Sequence, residues 1–284
     1  MSDLFELEWM GGPAEHRFRK IRPGTEDLPW GTLDTSTFHP NVLEAARGSW
    51  TEVAINEYRA IAAFSAVLRA LAEARAPLDL LGMTSDFLAD ECAHVELASR
   101  MAMELGGAAA RTLDVRGMTP STDHSLTPLQ RANELVLRIS CIAEAFSGGT
   151  AAGQLASTPH ALPRAIYESI LRDESHHRRL GGLYFDWASE KMDDAERARL
   201  TQVTVNTLKG YARYWTPRPS RALREGWPLE ELRALGWLEQ EKFVPLAREV
   251  VVRDILDPLQ AIGICVSDAD RQKLLQQTDS AQPP

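Results

Sequence analysis

The pentapeptide Asp-Glu-x-x-His occurs twice in this chain, as Asp90–His94 and again as Asp173–His177. Each copy lies in a run whose apolar residues recur at helical spacing, which puts its Glu and His on one helix face a turn apart. One Glu-x-x-His is expected roughly once by chance at this composition, but a preceding Asp and a second copy make coincidence a poor account. Acids and imidazoles on apolar helix faces are costly to bury unless they pair with each other or hold a metal ion. The repeat therefore calls for a helical fold that brings both motifs to one interior point.

The hydropathy pattern supplies the helices. Trp50, Val53, Ala54, Ile61, Phe64, Leu68 and Leu71 define a first helix over about 41–74, which ends at ARAP. A second spans about 78–105 and stops at Gly106-Gly107. Thr127-Pro128 is a cap-plus-proline start for a third helix reaching about Leu155, and a fourth runs from Pro163 to about Trp187. Short connections make helices one and two, and three and four, antiparallel hairpins. The roughly 20 residues between helices two and three, at up to about 3.3 Å each, can travel the full length of a bundle.

Two further helices are expected in DDAERARLTQVTVNTLKGYARYW and LEQEKFVPLAREVVVRDILDPLQAIG, separated by a TPRPS turn, with a frayed QQTDSAQPP tail. No strand-like alternation is sustained, so the class is all-α. The expected organisation is a leader over 1–42 that wraps the bundle, a four-helix bundle over 43–190, and a C-terminal helical extension over 191–284 packed on it.

Two more acids fall inside apolar stripes. Glu57 lies between Val53, Ala54, Ile61 and Phe64, whereas its rival Glu52 shares a side with Asn56 and Arg59 and is expected in solvent. Glu144 lies among Leu137, Cys141, Gly148, Ala151 and Ala152 at mid-height, whereas Glu134 is near a helix end. The expected metal ligands are Glu57, Glu91, His94, Glu144, Glu174 and His177. The 34 residues from Glu57 to Glu91 and the 30 from Glu144 to Glu174 suit two facing hairpins. The alternative is a metal-free core in which these acids and histidines pair with one another.

One Glu from each of two helices and a Glu-x-x-His from each of the other two is the ligand set of di-iron and di-manganese bundles. In these residues, over about 43–190, the chain resembles the ferritin-like di-iron carboxylate superfamily. That superfamily includes ferritins, bacterial multicomponent monooxygenases, ribonucleotide reductase small subunits and aldehyde-deformylating oxygenases. WGTLD in the leader and PLDL ahead of the first DExxH also resemble a set of bacterial ferritin-like proteins. The resemblance implies a ferritin-like four-helix bundle with a long crossover between helices two and three. It also implies second-shell roles for Asp90 and Asp173, each bonding a ligand imidazole. Several oxygenases of the superfamily read DExRH, and here Ala93 and His176 stand at that Arg position.

Tyr184, two turns after His177, is a further second-shell candidate, with an ordinary core tyrosine as the alternative. His176 is expected at the surface, and Cys92 and Cys141 are expected as buried small hydrophobes. Gly148-Gly149 reads either as close helix packing or as a cavity or π-bulge beside the metals.

Carboxylate and imidazole ligands without thiolate favour two iron ions, with manganese possible. The functional expectation is a non-haem di-iron oxygenase or oxidase that activates O2 to oxidise a small organic substrate, with a ligand-sized cavity reaching Glu144 and Glu174. Iron oxidation and storage, and manganese catalase-like peroxide disproportionation, are the alternatives. A formal net charge of -9 disfavours nucleic acid as a partner. No apolar run near 20 residues is read as a membrane span. Three scattered cysteines and a leader without a basic, apolar signal fit a cytoplasmic protein, with a homodimer as an expected assembly.

Overall fold

The computed structural model describes residues 3–276. Helices α2 (Pro40–Glu73), α3 (Leu78–Glu104), α4 (Pro128–Ala156) and α5 (Ala161–Ala188) are its long elements, preceded by α1 (Gly12–Ile21). Helix α2 packs on α3 and α4, and α5 packs on the same two. Local chemistry sets the boundaries. His39 caps α2 by accepting from the Asn41 amide with Pro40 in the first turn, and Thr127 and Gln130 form a reciprocal capping box on α4. Arg75, at φ 54, turns the chain out of α2, and Gly107, at φ 110, satisfies the Ala102 carbonyl where α3 ends.

The α3–α4 connection does run the length of the bundle. It leaves beside the first half of α2, where Ala109 donates to Thr51 and Arg111 pairs with Glu52. It enters α4 beside the far end of α2, where Arg131 reaches Glu73. The α3 and α4 directions are therefore parallel. On the way Thr112–Leu113 (β2) pairs antiparallel with Asp3–Leu4 (β1), a two-residue ladder too short to leave any alternation in the sequence.

After α5 come α6 (Asp194–Tyr211), the short α7 (Arg221–Arg224) and α8 (Leu229–Ala234), a helix over 240–261, here α9, and α10 (Asp268–Leu275). The span expected as one proline turn thus holds two short helices, since six residues or fewer carry no readable period. The rest of the expected frayed tail, 277–284, lies outside the described residues. Trp50 and Tyr167 hold the α8 end by donating to the carbonyls of Leu235 and Gly236. A Cβ on Gly236 would sit 3.0 Å from the Tyr167 ring and 3.1 Å from the Trp50 ring.

Helix α4 is long and apolar enough to cross a bilayer by length and composition, which corrects the expectation from apolar runs alone. It is the central helix of the fold, with 67% of its most apolar window buried against its neighbours. Its apolar character is thus accounted for by the core.

That core is in two parts. One cluster holds Ala54, Leu97 and Ile170, the other Phe64, Phe87 and Leu180. On α2, α3 and α5 the change from one to the other falls at Glu57, at Glu91–His94 and at Glu174–His177. A polar layer crosses the bundle at that height.

Candidate metal centre

The six predicted side chains meet in this layer as two overlapping groups of four. Glu57, Glu91, His94 and Glu174 offer ligand atoms within 4.8 Å of one another, and so do Glu91, Glu144, Glu174 and His177. Glu91 and Glu174 belong to both. Each imidazole presents Nδ1 to the acids: His94 Nδ1 is 3.4 Å from Glu174 and 3.7 Å from Glu91, and His177 Nδ1 is 3.1 Å from Glu91 and 3.5 Å from Glu174. Glu57 and Glu144 each stand 3.9 Å from the imidazole of their own group.

The other ring nitrogen of each histidine is held from across the bundle. Asp173 on α5 bonds His94 Nε2 at 3.2 Å, and Asp90 on α3 bonds His177 Nε2 at 3.3 Å. Each DExxH thus supplies the carboxylate that orients the histidine of the other, which fixes the tautomer and leaves the Nδ1 lone pair facing the acids. Arg22, from the leader, pairs with Asp90 at 2.5 Å and with Asp86 at 2.8 Å. A guanidinium therefore reaches Asp90 although Ala93 and His176 leave none inside the motifs. The Phe87 and Phe64 rings cover His177 at centroid distances of 4.2 and 5.3 Å.

The fit to a metal can be tested on the polar atoms. Both Glu91 oxygens, Glu174 Oε2 and Nδ1 of each histidine are buried without a hydrogen-bond partner, and no Lys or Arg pairs with the four acids among the described residues. Buried acceptors left in this way carry a penalty of a few kcal/mol each, which a cation between them removes. Without a cation, protons take that place. Burial and the charge of Glu91 push the Glu57 carboxyl well above its usual range, and burial and Glu174 do the same to Glu144. Burial works against a charged imidazole, but Asp173 and Glu91 raise His94, and Asp90, Glu144 and Glu174 raise His177. Burial likewise opposes a charged Glu91, yet the two imidazoles hold it down at about 2. The residues present fit a metal centre.

Glu144 closes a π-helical stretch, Leu137–Glu144, inside α4. The expected irregularity is thus ahead of the glycines, and a π turn re-aims side chains by about one residue's rotation. The glycines themselves serve packing: a Cβ on Gly149 would lie 2.6 Å from Val250, and one on Gly153 would collide with Leu246, both on α9. Glu52 is exposed and paired with Arg111, and Glu134 pairs with Arg199 at 2.6 Å. His176 is exposed, as expected.

Two expectations need correction. Cys92 is exposed, because it points away from the face that carries Glu91 and His94. Tyr184 is fully buried, but its hydroxyl donates to Asn133 at 2.7 Å in a separate polar group around Glu196. The tyrosine that feels the cluster is Tyr211 on α6, raised to about 12 by burial and by the charge of Glu144. Only tertiary packing of α6 reveals it. Half-buried Cys141 lies against Gly181, and burial pushes its thiol up to about 12.

A cleft of about 400 Å³ opens between α4, α5 and α9, and one of about 470 Å³ between α4 and α6. None of the six cluster residues lines either one, so neither cleft is the expected cavity reaching Glu144 and Glu174. The lining of the first cleft includes Cys141, Ala145, Ser175 and Gly181, on the turns that carry Glu144, Glu174 and His177.

The fold has been seen before. A solved structure described as protein 19 with aldehyde deformylating oxidase activity, from Synechococcus, matches this chain with a TM-score of 0.56. The match covers 86% of this chain and 99% of that one at 17% identity, a likeness that shows the fold alone. No family model and no curated protein matches the sequence.

Proposed function

We propose that this protein is a ferritin-like di-iron oxidase or oxygenase acting on a small organic substrate. The observation that carries it is the pair of four-ligand groups sharing Glu91 and Glu174 in a layer where no lysine or arginine pairs with the acids among the described residues. Glu57, Glu91, His94 and Glu174 would hold one ion, and Glu91, Glu144, Glu174 and His177 would hold a second. Four carboxylates balance two divalent cations, and oxygen- and nitrogen-donor ligands suit iron. Bound iron would supply the redox chemistry that activates dioxygen.

The chain's own residues set the conditions. Asp90 and Asp173 hold each imidazole in the tautomer that leaves Nδ1 free. Phe64 and Phe87 keep bulk water from the His177 side. Cys141 and Gly181 line the α4–α5–α9 cleft beside the turns that carry Glu144 and His177, so a substrate path from this cleft to the centre would pass between them.

The fold neighbour's described activity makes aldehydes the first substrates to try. The test loads the full chain with iron anaerobically, then follows oxygen uptake with and without a reductant and medium-chain aldehydes. Substrate-dependent uptake with a one-carbon-shorter or oxidised product supports the proposal. Two bound irons with no substrate-dependent uptake across aldehydes, amines and alkanes would reject it in favour of storage.

A further inference from the structure

We infer that the cleft between α4, α5 and α9 is a binding site for an organic oxyanion with an apolar body. Three arginines line it, Arg178, Arg179 and Arg253, against the single acid Asp254. Arg253 is neutralised by Asp254 and by Glu249, at 2.7 Å, so the uncompensated positive charge of the cleft is that of Arg178 and Arg179. Asp254 is already engaged by both ends of the Arg253 guanidinium, at 2.8 Å from Nε and 2.8 Å from a terminal nitrogen. No carboxylate pairs with Arg178 or Arg179 among the described residues, and Arg178 Nε is buried without any partner. An arginine fork facing a cleft without a counter-ion is matched by a carboxylate or phosphate, which it binds through two parallel N–H···O bonds.

The rest of the cleft sets the other half of the ligand. Phe185, Ile255, Leu259 and Ile262 form an apolar wall, and the volume of about 400 Å³ falls in the range of small-molecule sites. The glycines of α4 build the arrangement. Gly148 lets Arg178 lie against its backbone, since a Cβ there would stand 3.3 Å from Arg178 Nε, and Gly149 admits Asp254 at 2.7 Å from its own would-be Cβ. The notable Gly148-Gly149 pair thus brings the charged rim of the cleft together. Binding here does not depend on which reaction the metal centre carries out.

Calorimetric titration of the full chain with octanoate, octyl phosphate and 1-octanol tests the inference. At least one of the two anions is expected to bind one per chain about tenfold tighter than octanol, and the tighter anion identifies the headgroup. Arg178→Gln should weaken the anion by about tenfold and leave octanol unchanged. Gly182 lines the cleft with open space where a side chain would begin, so Gly182→Leu should block all three ligands. Metal content should be unchanged in both variants. Equal binding of the anions and octanol, or undiminished binding by Gly182→Leu, would overturn the assignment even if Arg178→Gln failed to fold.

Discussion

Glu196 and Glu91 are both buried acids on long helices, yet only Glu196 has an arginine paired with it. Arg199 meets Glu196 at 2.8 and 3.0 Å, Asn133 donates to it at 2.9 Å, and Tyr184 completes the group through Asn133. Those partners outweigh burial and hold the Glu196 carboxyl below its usual range. Around Glu91 stand three more acids and two imidazoles, with five inner polar atoms unpartnered. One molecule thus contains a polar group closed by its own residues and another whose inner atoms are left for a cation to engage. The contrast separates a structural buried acid from a ligand, which burial alone cannot do.

The sharpest way to break this comparison is to neutralise the two acids in turn. Glu91→Gln removes a shared ligand from both groups, so bound metal should fall from two ions per chain to none and metal-dependent thermal stabilisation should vanish. That stabilisation is about 2.7 kcal/mol per site at a hundredfold excess over Kd. Glu196→Gln should instead keep both ions and lower unfolding stability by roughly 1–3 kcal/mol, as Arg199 is partly exposed.

Proton linkage distinguishes the two forms of the centre. In metal-free protein His94 and His177 are raised above 6.5, and Glu57 and Glu144 above 4.5, so the folded chain holds more protons than the unfolded one at neutral pH. The stability these groups contribute is present at lower pH and is lost as pH rises, at about 1.4 kcal/mol per pH unit for each extra proton. Glu91 has the opposite sign, its contribution being present above 4.5 and lost as pH falls toward about 2. Metal binding expels protons and strengthens as pH rises. The gap in melting temperature between loaded and metal-free protein should therefore widen from pH 6 to pH 8; a constant gap would contradict the ligand assignment.

Smaller effects compare the two halves of the centre. Asp90→Ala and Asp173→Ala should each weaken metal binding by about 10–100-fold, measured by competition with a chelator. Arg22→Gln should cost less and act on the His177 half, because the Asp173 side chain has no such brace and is 28% exposed. Tyr184→Phe should leave metal content unchanged and destabilise the fold by about 1 kcal/mol.

The long helices and the six clustered residues were legible because both depend on helical period, which spacing in the sequence reports directly. Glu57 was separable from Glu52 by the apolar neighbours on its own helix, and Glu144 from Glu134 by its height along the bundle. What spacing could not report are contacts between distant segments: the crossed pairing of Asp90 with His177 and Asp173 with His94, and the reach of Arg22. Tyr184 was misplaced because a helical wheel gives direction but not how far along the bundle a partner such as Asn133 waits. Cys92 was misplaced because a small apolar residue beside ligands need not share their face. The contact of Cys141 with Gly181 depends on packing between α4 and α5, on which the pattern of either helix alone is silent.

In the proposed centre Glu91 and Glu174 are common to both metal sites. Counting iron per chain by elemental analysis, on protein loaded anaerobically and freed of excess metal, tests this most directly when wild type, Glu57→Gln and Glu91→Gln are compared. Wild type is expected to hold two ions, Glu57→Gln a reduced count with one site retained, and Glu91→Gln none. Full iron content in Glu91→Gln, or none in the wild type, would contradict the shared centre.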